Sequence, residues 1–266
     1  MSADIDPRAR SVALRPTFWG AFRGLWLLAW RTQLSLRRLP LVLASLGLIP
    51  ILAYATVEDE ATRPFFHWTV EFYFLLGLPL YCLSVCGAMI RDELQSDTLG
   101  FLSTRPMTRA RLFLGKFLCN FIWLQGLALL CGLLMVAVGW TRAISGITAF
   151  ALIFLAAQFL AVLSYGALSS LLGLIHQRYM VLGFIYGFVV EVGIGQIPTN
   201  INNLSLSRHL RTILGNDRTI QDLYEWTPDR TLFSVAAMLA ASALFLAAGA
   251  VLFTFREYHQ SEEMQK

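Results

Sequence analysis

The sequence predicts an all-α, polytopic membrane protein with six transmembrane helices. Hydrophobic residues make up 56% of the 266 residues and charged residues only 14%, whereas an ordinary soluble domain has about 25% charged residues. Six apolar runs approach or exceed the length of about 20 residues with which a helix crosses a bilayer. They are Leu39–Val57, Phe72–Ile90, Phe113–Val138, Ile147–Ile175, Tyr179–Ile197 and Leu232–Phe255. We therefore treat residues 1–266 as a single transmembrane domain.

The two earliest runs contain prolines. Pro50 lies inside the first run and Pro79 inside the second. A proline is tolerated in a membrane helix when neighbouring groups satisfy the carbonyl that it leaves free, so we expect a kink at each position. No run alternates between apolar and polar residues, which favours helices over the strands of a barrel.

A basic, tryptophan-rich segment, residues 16–38, precedes the first run. Only seven residues separate Arg23 from Arg31, and this is too short to cross a bilayer. Basic residues interleaved with Trp and Leu are typical of a helix that lies in the inner membrane interface. A simple basic anchor that obeys the positive-inside rule is equally compatible.

Positively charged residues are distributed unequally between the two sides of the predicted bundle. With the N-terminus inside, 15 of the 21 Lys and Arg residues lie on the inner side. Because cytoplasmic loops carry an excess of Lys and Arg, we predict that both termini are cytoplasmic. The acidic loop 58–71 is then external.

A long polar connection, residues 198–231, joins the fifth and sixth runs. Within it, Leu206, Leu210, Ile213 and Leu214 recur at the spacing of one helix face. The stretch 217–226 has the composition of a second short helix. We expect an external helical element that forms a lid or re-enters the membrane, and an ordinary amphipathic loop is the alternative.

The sequence lacks the residue patterns that several classes of function require. The Gly115-Lys116 pair is followed by Phe117 and has no glycine five residues earlier, so it is not a P-loop. The histidines lack the spacing of metal ligands, and the four cysteines fall in apolar runs, where free thiols fill helix interfaces. The basic residues follow membrane topology and give no support for nucleic-acid binding. We expect no catalytic, cofactor or metal site on this chain, and therefore no enzyme.

The stretch RDELQSDTLGFLSTRPMTRARLF, residues 91–113, separates the second and third runs. It is longer than the roughly 2–8 residues that usually connect two packed helices. Ser96 or Asp97 can cap a short helix, Pro106 ends it, and Thr108 can cap the next span. A short amphipathic helix on a cytoplasmic loop suits insertion into a groove of a partner. A capped loop that covers the end of the bundle is the alternative.

This stretch resembles the first cytoplasmic loop of the membrane-spanning permeases of type-2 ABC exporters. That loop typically has an acidic residue, Gly-Thr-Leu, two further apolar residues, Pro before an apolar residue, Ser or Thr before Arg, and then Leu-Gly-Lys. The corresponding residues here are Glu93, Thr98-Leu99, Phe101-Leu102, Pro106-Met107, Thr108-Arg109 and Leu114-Gly115-Lys116. Asp97 stands where the family usually has glycine, which leaves the geometry of that turn open.

The resemblance implies a coupling helix that docks on a separate ATP-binding subunit. The residues implied in docking are Glu93, Asp97, Thr98, Leu99, Phe101, Leu102, Arg105, Pro106 and Arg109. Two copies of that subunit would hold ATP and Mg²⁺, so this chain itself would bind no cofactor. A second permease subunit, identical or related, would complete the transporter among membrane lipids. The implied function is ATP-driven export across the bacterial inner membrane.

One acidic residue falls deep inside a predicted span. Glu191 lies roughly 18 Å along the helix from Tyr179, at about 1.5 Å per residue. Carboxylates inside a membrane are costly and often functional, so Glu191 and the nearby Gln196 are candidates for the translocation path. The alternative is that Glu191 only pairs with a polar neighbour such as Gln158.

Glycines in the same span are candidates for a contact between two permease subunits. Gly183 and Gly187 are four residues apart, so they lie on one helix face and allow a second helix to approach closely. Glycines that face lipid are the alternative.

Two other functions stay open at this point. The chain could be a membrane scaffold or sensor subunit that uses the same ATPase contact to assist an extracytoplasmic protein without carrying cargo. It could also be an intramembrane enzyme, although no residues line up for one.

Overall fold

The computed structural model describes residues 18–33, 39–89, 108–193, 203–224 and 230–255. Within these ranges the chain is helical apart from short turns, which confirms the all-α fold for this part of the protein. The helices are α1 (Phe18–Gln33), α2 (Leu39–Thr56), α3 (Thr62–Cys86), α4 (Arg109–Thr141), α5 (Ile147–Ile175), α6 (Tyr179–Tyr186, continued by a π-helix, Gly187–Gly193), α7 (Leu206–Leu214), α8 (Arg218–Tyr224) and α9 (Thr231–Phe255).

Four helices in the described ranges are long and apolar enough to cross a membrane by length and composition. These are α3, α4, α5 and α9. The stretches Gly47–Thr56 and Tyr179–Glu191 are apolar but shorter, and they fall within the first and fifth predicted spans. The total of six transmembrane helices therefore stays a prediction.

Helix α3 begins earlier than the sequence predicted. The expected span started at Phe72 after an external loop, but the helix begins at Thr62. Its added first turns are buried, because Phe65 and Phe66 pack into the core and Phe66 meets Phe150 edge to face at 4.9 Å between ring centroids. Packing of these aromatic rings outweighs the polar residues that made the segment resemble a loop.

The middle of α3 is a π-helix, Trp68–Gly77, and the α-helical turn that follows it has Pro79 near its start. A proline lacks the N–H that an α-helix needs, and its ring clashes with the carbonyl of the preceding turn. A wider π-turn before the proline relieves both problems. The backbone therefore departs from α-helical geometry just before Pro79, and Pro50 lies inside α2. The kinks expected at the two prolines stay predictions.

Helix α5 is the centre of the bundle and packs against α9, α3 and α4. A buried polar contact joins three of these helices. The Tyr73 hydroxyl of α3 lies 2.9 Å from the Ala128 carbonyl oxygen of α4 and 3.0 Å from Gln158 Oε1 of α5. Gln158 is fully buried, so this contact fixes how the three helices meet inside the core.

One end of the bundle, which we call the Arg142 end, is tied together by a single arginine. Arg142 Nη1 lies 3.0 Å from Asp59 Oδ1, and Nη2 donates to the Tyr54 carbonyl at 2.7 Å. The guanidinium also sits 4.5 Å from the centroid of the Tyr54 ring. These contacts hold the end of α4 to the end of α2. We call the opposite end the Lys116 end.

Helix α1 lies against α4, with Leu25 buried and Trp30 meeting Trp123 edge to face at 5.1 Å. A helix is therefore present over Phe18–Gln33 of the segment 16–38 in which it was predicted, and its place in the membrane interface stays a prediction.

Helices α7 and α8 lie in the connection 198–231, where the sequence predicted helical structure. The apolar face of α7 is buried as predicted, with Leu206, Leu210, Ile213 and Leu214 each no more than 5% exposed. This face packs against α5 and α9. Helix α7 is therefore part of the bundle, and not a solvated loop.

Candidate functional site

A pocket of about 290 Å³ lies between α3, α5, α6 and α7. Most of its wall is apolar, with leucines of α3 on one side and the rings of Phe184 and Phe188 on the other. Leu76 and Phe188 line it and are 49% and 71% exposed. The pocket therefore opens at the surface of the chain. Its polar wall carries Glu191, Ser207 and Arg211.

Glu191 caps the start of α7 from a neighbouring helix. Its Oε2 accepts from the Ser205 hydroxyl at 2.7 Å and from the Ser207 N–H at 2.8 Å, and its Oε1 accepts from the Leu206 N–H at 3.3 Å. The first N–H groups of a helix have no partner within the helix, and that end carries partial positive charge. A carboxylate satisfies both needs. Glu191 thus fastens α7 to the π-helical end of α6.

The suggested pairing of Glu191 with Gln158 is wrong. Gln158 contacts Tyr73 in the core of the bundle, whereas the carboxylate of Glu191 is engaged by residues 205–207. Ser205, which was not predicted as part of this site, is the N-cap of α7 and accepts from the Arg208 N–H at 3.3 Å. A serine directly before an amphipathic helical pattern is a local signal that could have identified it.

Gly183, Gly187 and Glu191 all line the pocket. A Cβ on Gly183 would lie 2.3 Å from the Leu83 side chain, so this glycine allows α6 to approach α3 within the same chain. A Cβ on Gly187 would meet no atom within 4 Å. The role of both glycines between two permease subunits stays a prediction, and only Gly187 has open space beside it.

His209 holds the other side of α7. It is 4% exposed, its Nε2 lies 2.9 Å from the Asn203 carbonyl oxygen, and its Nδ1 lies 3.2 Å from Ser234 Oγ of α9. A carbonyl only accepts, so Nε2 donates and the neutral ring accepts the Ser234 hydroxyl at Nδ1. Burial lowers the pKa of His209 below its ordinary value, and the neighbouring Arg208 acts in the same direction. The hydrogen bond to Asn203 and the charge of Glu191 oppose this shift.

We expect the thermal stability of the purified protein to fall as the pH drops from about 7.5 to 5. The lowered pKa means that the folded state favours neutral His209, so its contribution is present above the unfolded value of about 6.5 and is lost as the pH falls through the folded pKa. The melting temperature should depend less steeply on pH across this range for His209→Gln than for wild type. His67→Gln, at a half-exposed histidine, is the matched control. Equal slopes for wild type and His209→Gln would contradict the role of His209.

Most residues predicted to dock a partner lie outside the described ranges. These docking residues are Glu93, Asp97, Thr98, Leu99, Phe101, Leu102, Arg105 and Pro106. Gln196, predicted for the translocation path, also lies outside the described ranges. Arg109 begins α4 and is exposed. Thr108 caps α4 as predicted, since its side chain accepts from the Arg111 N–H at 3.4 Å.

Among the described residues, no group of three or more His, Cys, Asp or Glu side chains could hold a metal ion. The four cysteines are buried free thiols, as the sequence predicted.

Comparison with known proteins identifies the family. The family model described as ABC-2 family transporter protein matches residues 35–202, which is more than half of the chain. The chain belongs to this family. It is therefore a type-2 ABC permease, the transmembrane subunit of an ABC transporter and not itself the ATPase. This confirms the resemblance carried by residues 93–116.

ABC-2 permeases generally pair with ATP-binding subunits. The matched residues include all of α2–α6 and end before α7. No curated protein and no solved structure matches this chain.

Proposed function

We propose that this ABC-2 permease forms the translocation path of an ATP-driven exporter and docks on a separate ATP-binding subunit through residues 91–109. The family match carries the proposal, because it covers both the docking segment and the helices α3, α5 and α6 that line the pocket. The ATP and Mg²⁺ sites belong to the partner subunit, of which two copies are needed to enclose the nucleotides.

The excess of Lys and Arg supports an orientation with the Lys116 end and both termini in the cytoplasm of a bacterium. The Arg142 end then faces outward from the inner membrane. In this orientation α6 runs outward from Tyr179, and α7 lies in the outer half of the bundle, because Glu191 at its N-terminus is roughly 18 Å from Tyr179. The pocket is then closed from the outside by α7.

The pocket suits the apolar part of a cargo molecule, and Glu191 acts on the path by holding α7. Its two oxygens already accept hydrogen bonds from residues 205–207, so its first role is to keep the outer wall in place. Ser207 and Arg211 line the pocket from α7. Movement of α7 would thus expose the pocket to the outside. Gln196 is placed by its sequence position near the same exit.

The exposed face of α6 supports contact with a second permease subunit, identical or related. None of the residues Tyr179–Tyr186 is buried within the chain. Phe184, Phe188 and the open space at Gly187 lie on this surface. If the partner is identical, this surface must be complementary to itself.

The docking segment is tested by affinity purification of the tagged chain from its native membrane in mild detergent. We expect an ABC ATP-binding subunit to co-purify with wild type and to be reduced about tenfold with Leu102→Asp, since a charge in an apolar contact has no partner there. Leu204→Asp is the matched control, because Leu204 is 68% exposed beside α7 and outside the docking segment.

Retention of the ATPase by Leu102→Asp would contradict the docking role of this face. Absence of any ATPase from the wild-type preparation would contradict the proposed function itself.

A scaffold or sensor subunit that drives an extracytoplasmic protein is the second candidate. The family match ends at residue 202, so α7 and α8 lie beyond it and offer a surface that the family does not define. ATP-dependent flux of a solute through vesicles that contain both subunits favours the exporter. ATP hydrolysis without flux, with an external protein bound to α7 or α8, favours the scaffold.

A further inference from the structure

Lys116 is buried at the start of a membrane helix. It lies two turns into α4, is 8% exposed, and its Nζ donates to the Met89 carbonyl oxygen at 2.9 Å. A charged side chain at this depth is costly unless its donors are used. The Met89 carbonyl lies just beyond the last turn of α3, where free carbonyls favour a positive charge. This contact joins the end of α3 to the beginning of α4.

The same end of α3 is also held by α5 and α6. A Cβ on Gly173 of α5 would lie 2.1 Å from the Gly87 carbonyl oxygen, so the two backbones are in direct contact. A Cβ on Gly87 would lie 2.5 Å from the ring of Tyr179, the first residue of α6. We call Gly87, Met89, Lys116, Gly173 and Tyr179 the basal joint.

The basal joint is close to the floor of the pocket. Leu83 of α3 lines the pocket and contacts α6 at Gly183. Met89 is six positions after Leu83, which is roughly 9 Å along a helix. A shift of Met89 therefore moves a pocket wall, because close-packed helices transmit displacement and do not absorb it.

We propose that Lys116 is a positioning residue that makes the basal joint rigid and passes movement from the docking segment to the pocket. This inference rests on the proposed function for the source of the movement. Residues 90–107 connect Met89 to Thr108, so a partner that moves this segment pulls on both sides of the Lys116–Met89 contact. With the contact intact, α3 and α4 move together. Without it, the end of α3 yields locally and the pocket does not respond.

The first test needs no partner. Hydrogen exchange of the full chain in lipid nanodiscs is measured for wild type, Lys116→Met and Lys116→Arg. Met keeps the length and apolar stem of lysine, so the helix persists. We expect exchange in Lys116→Met to rise about tenfold at residues 84–89, as expected for loss of a hydrogen bond from a charged donor, and to rise at 183–187 as well. Lys116→Arg should restore protection at both places.

Ser242→Ala is the matched control for removal of a buried polar group. Within the described ranges the Ser242 hydroxyl donates to the Met238 carbonyl oxygen of its own helix and to no other helix, so its loss should leave residues 84–89 and 183–187 unchanged. Hydrogen-exchange rates in Lys116→Met that equal those of wild type at both places would overturn the proposal. A rise at 84–89 alone would also overturn it, because the joint would then not reach the pocket.

The second test adds the co-purified ATPase. A fluorescent label is placed on Leu76→Cys of α3, which lines the pocket and is 49% exposed, and its signal is recorded with and without ATP and Mg²⁺. We expect the Lys116→Met permease to retain the bound ATPase and its hydrolysis rate. Its ATP-dependent fluorescence change should be at least about fivefold smaller than that of wild type, whereas Lys116→Arg should show the wild-type change. A normal signal in Lys116→Met overturns transmission through Lys116. Failure of wild type to bind an ATPase counts against the proposed function, and the exchange test still decides the joint.

Discussion

Replacing Glu191 with alanine is expected to detach α7 from α6 and to weaken the closure of the pocket. The substitution removes three hydrogen bonds to Ser205, Leu206 and Ser207 and leaves the first N–H groups of α7 without an acceptor. Hydrogen bonds to a charged group contribute about 1.5–3 kcal/mol each and do not simply add. We therefore expect a loss of about 2–4 kcal/mol in the docking of α7.

Hydrogen exchange at residues 206–214 measures this effect directly. Glu191→Ala should raise exchange across α7 by a factor of at least about 30, which corresponds to about 2 kcal/mol. Glu191→Gln should also raise exchange, because the amide NH₂ group cannot accept from the backbone N–H groups. The rise should be smaller than in Glu191→Ala, because the amide keeps one acceptor oxygen. Glu71→Ala is the control, since Glu71 is half-exposed and pairs with His67 in α3.

Unchanged protection of α7 in Glu191→Ala would show that Glu191 is not its anchor. Unchanged transport in Glu191→Gln, with α7 loosened, would remove Glu191 from the proposed path while leaving its structural role. The two readouts therefore separate a residue that holds the pocket wall from one that acts on the cargo.

The sequence was most informative where one property repeats along a helix. Long apolar runs located α4, α5 and α9, and the spacing of four apolar residues located the buried face of α7. The predicted start of α3 was wrong because the true start depends on tertiary packing. Residues 58–71 contain four acidic residues and read as a loop, yet Phe65 and Phe66 are buried against residues far along the chain.

Contacts between distant segments were the hardest to predict. Glu191 stood out as a carboxylate in an apolar run, but its partner depends on how the chain returns after residue 193. Gln158 was a plausible partner by polarity alone, and the structure places it against Tyr73 instead. The serine cap at Ser205 was readable locally, since its helix follows directly. The docking role of residues 91–109 stays a prediction that the family match supports.

Replacing Gly173 with alanine is expected to destabilise the bundle more than other small changes in its membrane helices. The new Cβ would lie 2.1 Å from the Gly87 oxygen and within 3.0 Å of two further Gly87 backbone atoms. Backbone atoms cannot move aside as a flexible side chain can, so α3 and α5 must separate. Overpacking of this kind costs about 1–3 kcal/mol, and small residues are what allow membrane helices to approach so closely.

Gly126→Ala is the matched control, because a Cβ on Gly126 of α4 would meet no atom within 4 Å. There the change removes only the backbone freedom of glycine, so it should be neutral or stabilising by up to about 1 kcal/mol. Thermal unfolding in one detergent should therefore shift in opposite directions for the two variants, or downward for Gly173→Ala alone. Equal stability of both would mean that α3 and α5 do not meet at these glycines, and the basal joint would lose its contact with α5. A selective loss in Gly173→Ala would show that α3 and α5 meet closely at the Lys116 end, next to the segment on which the ATPase is proposed to act.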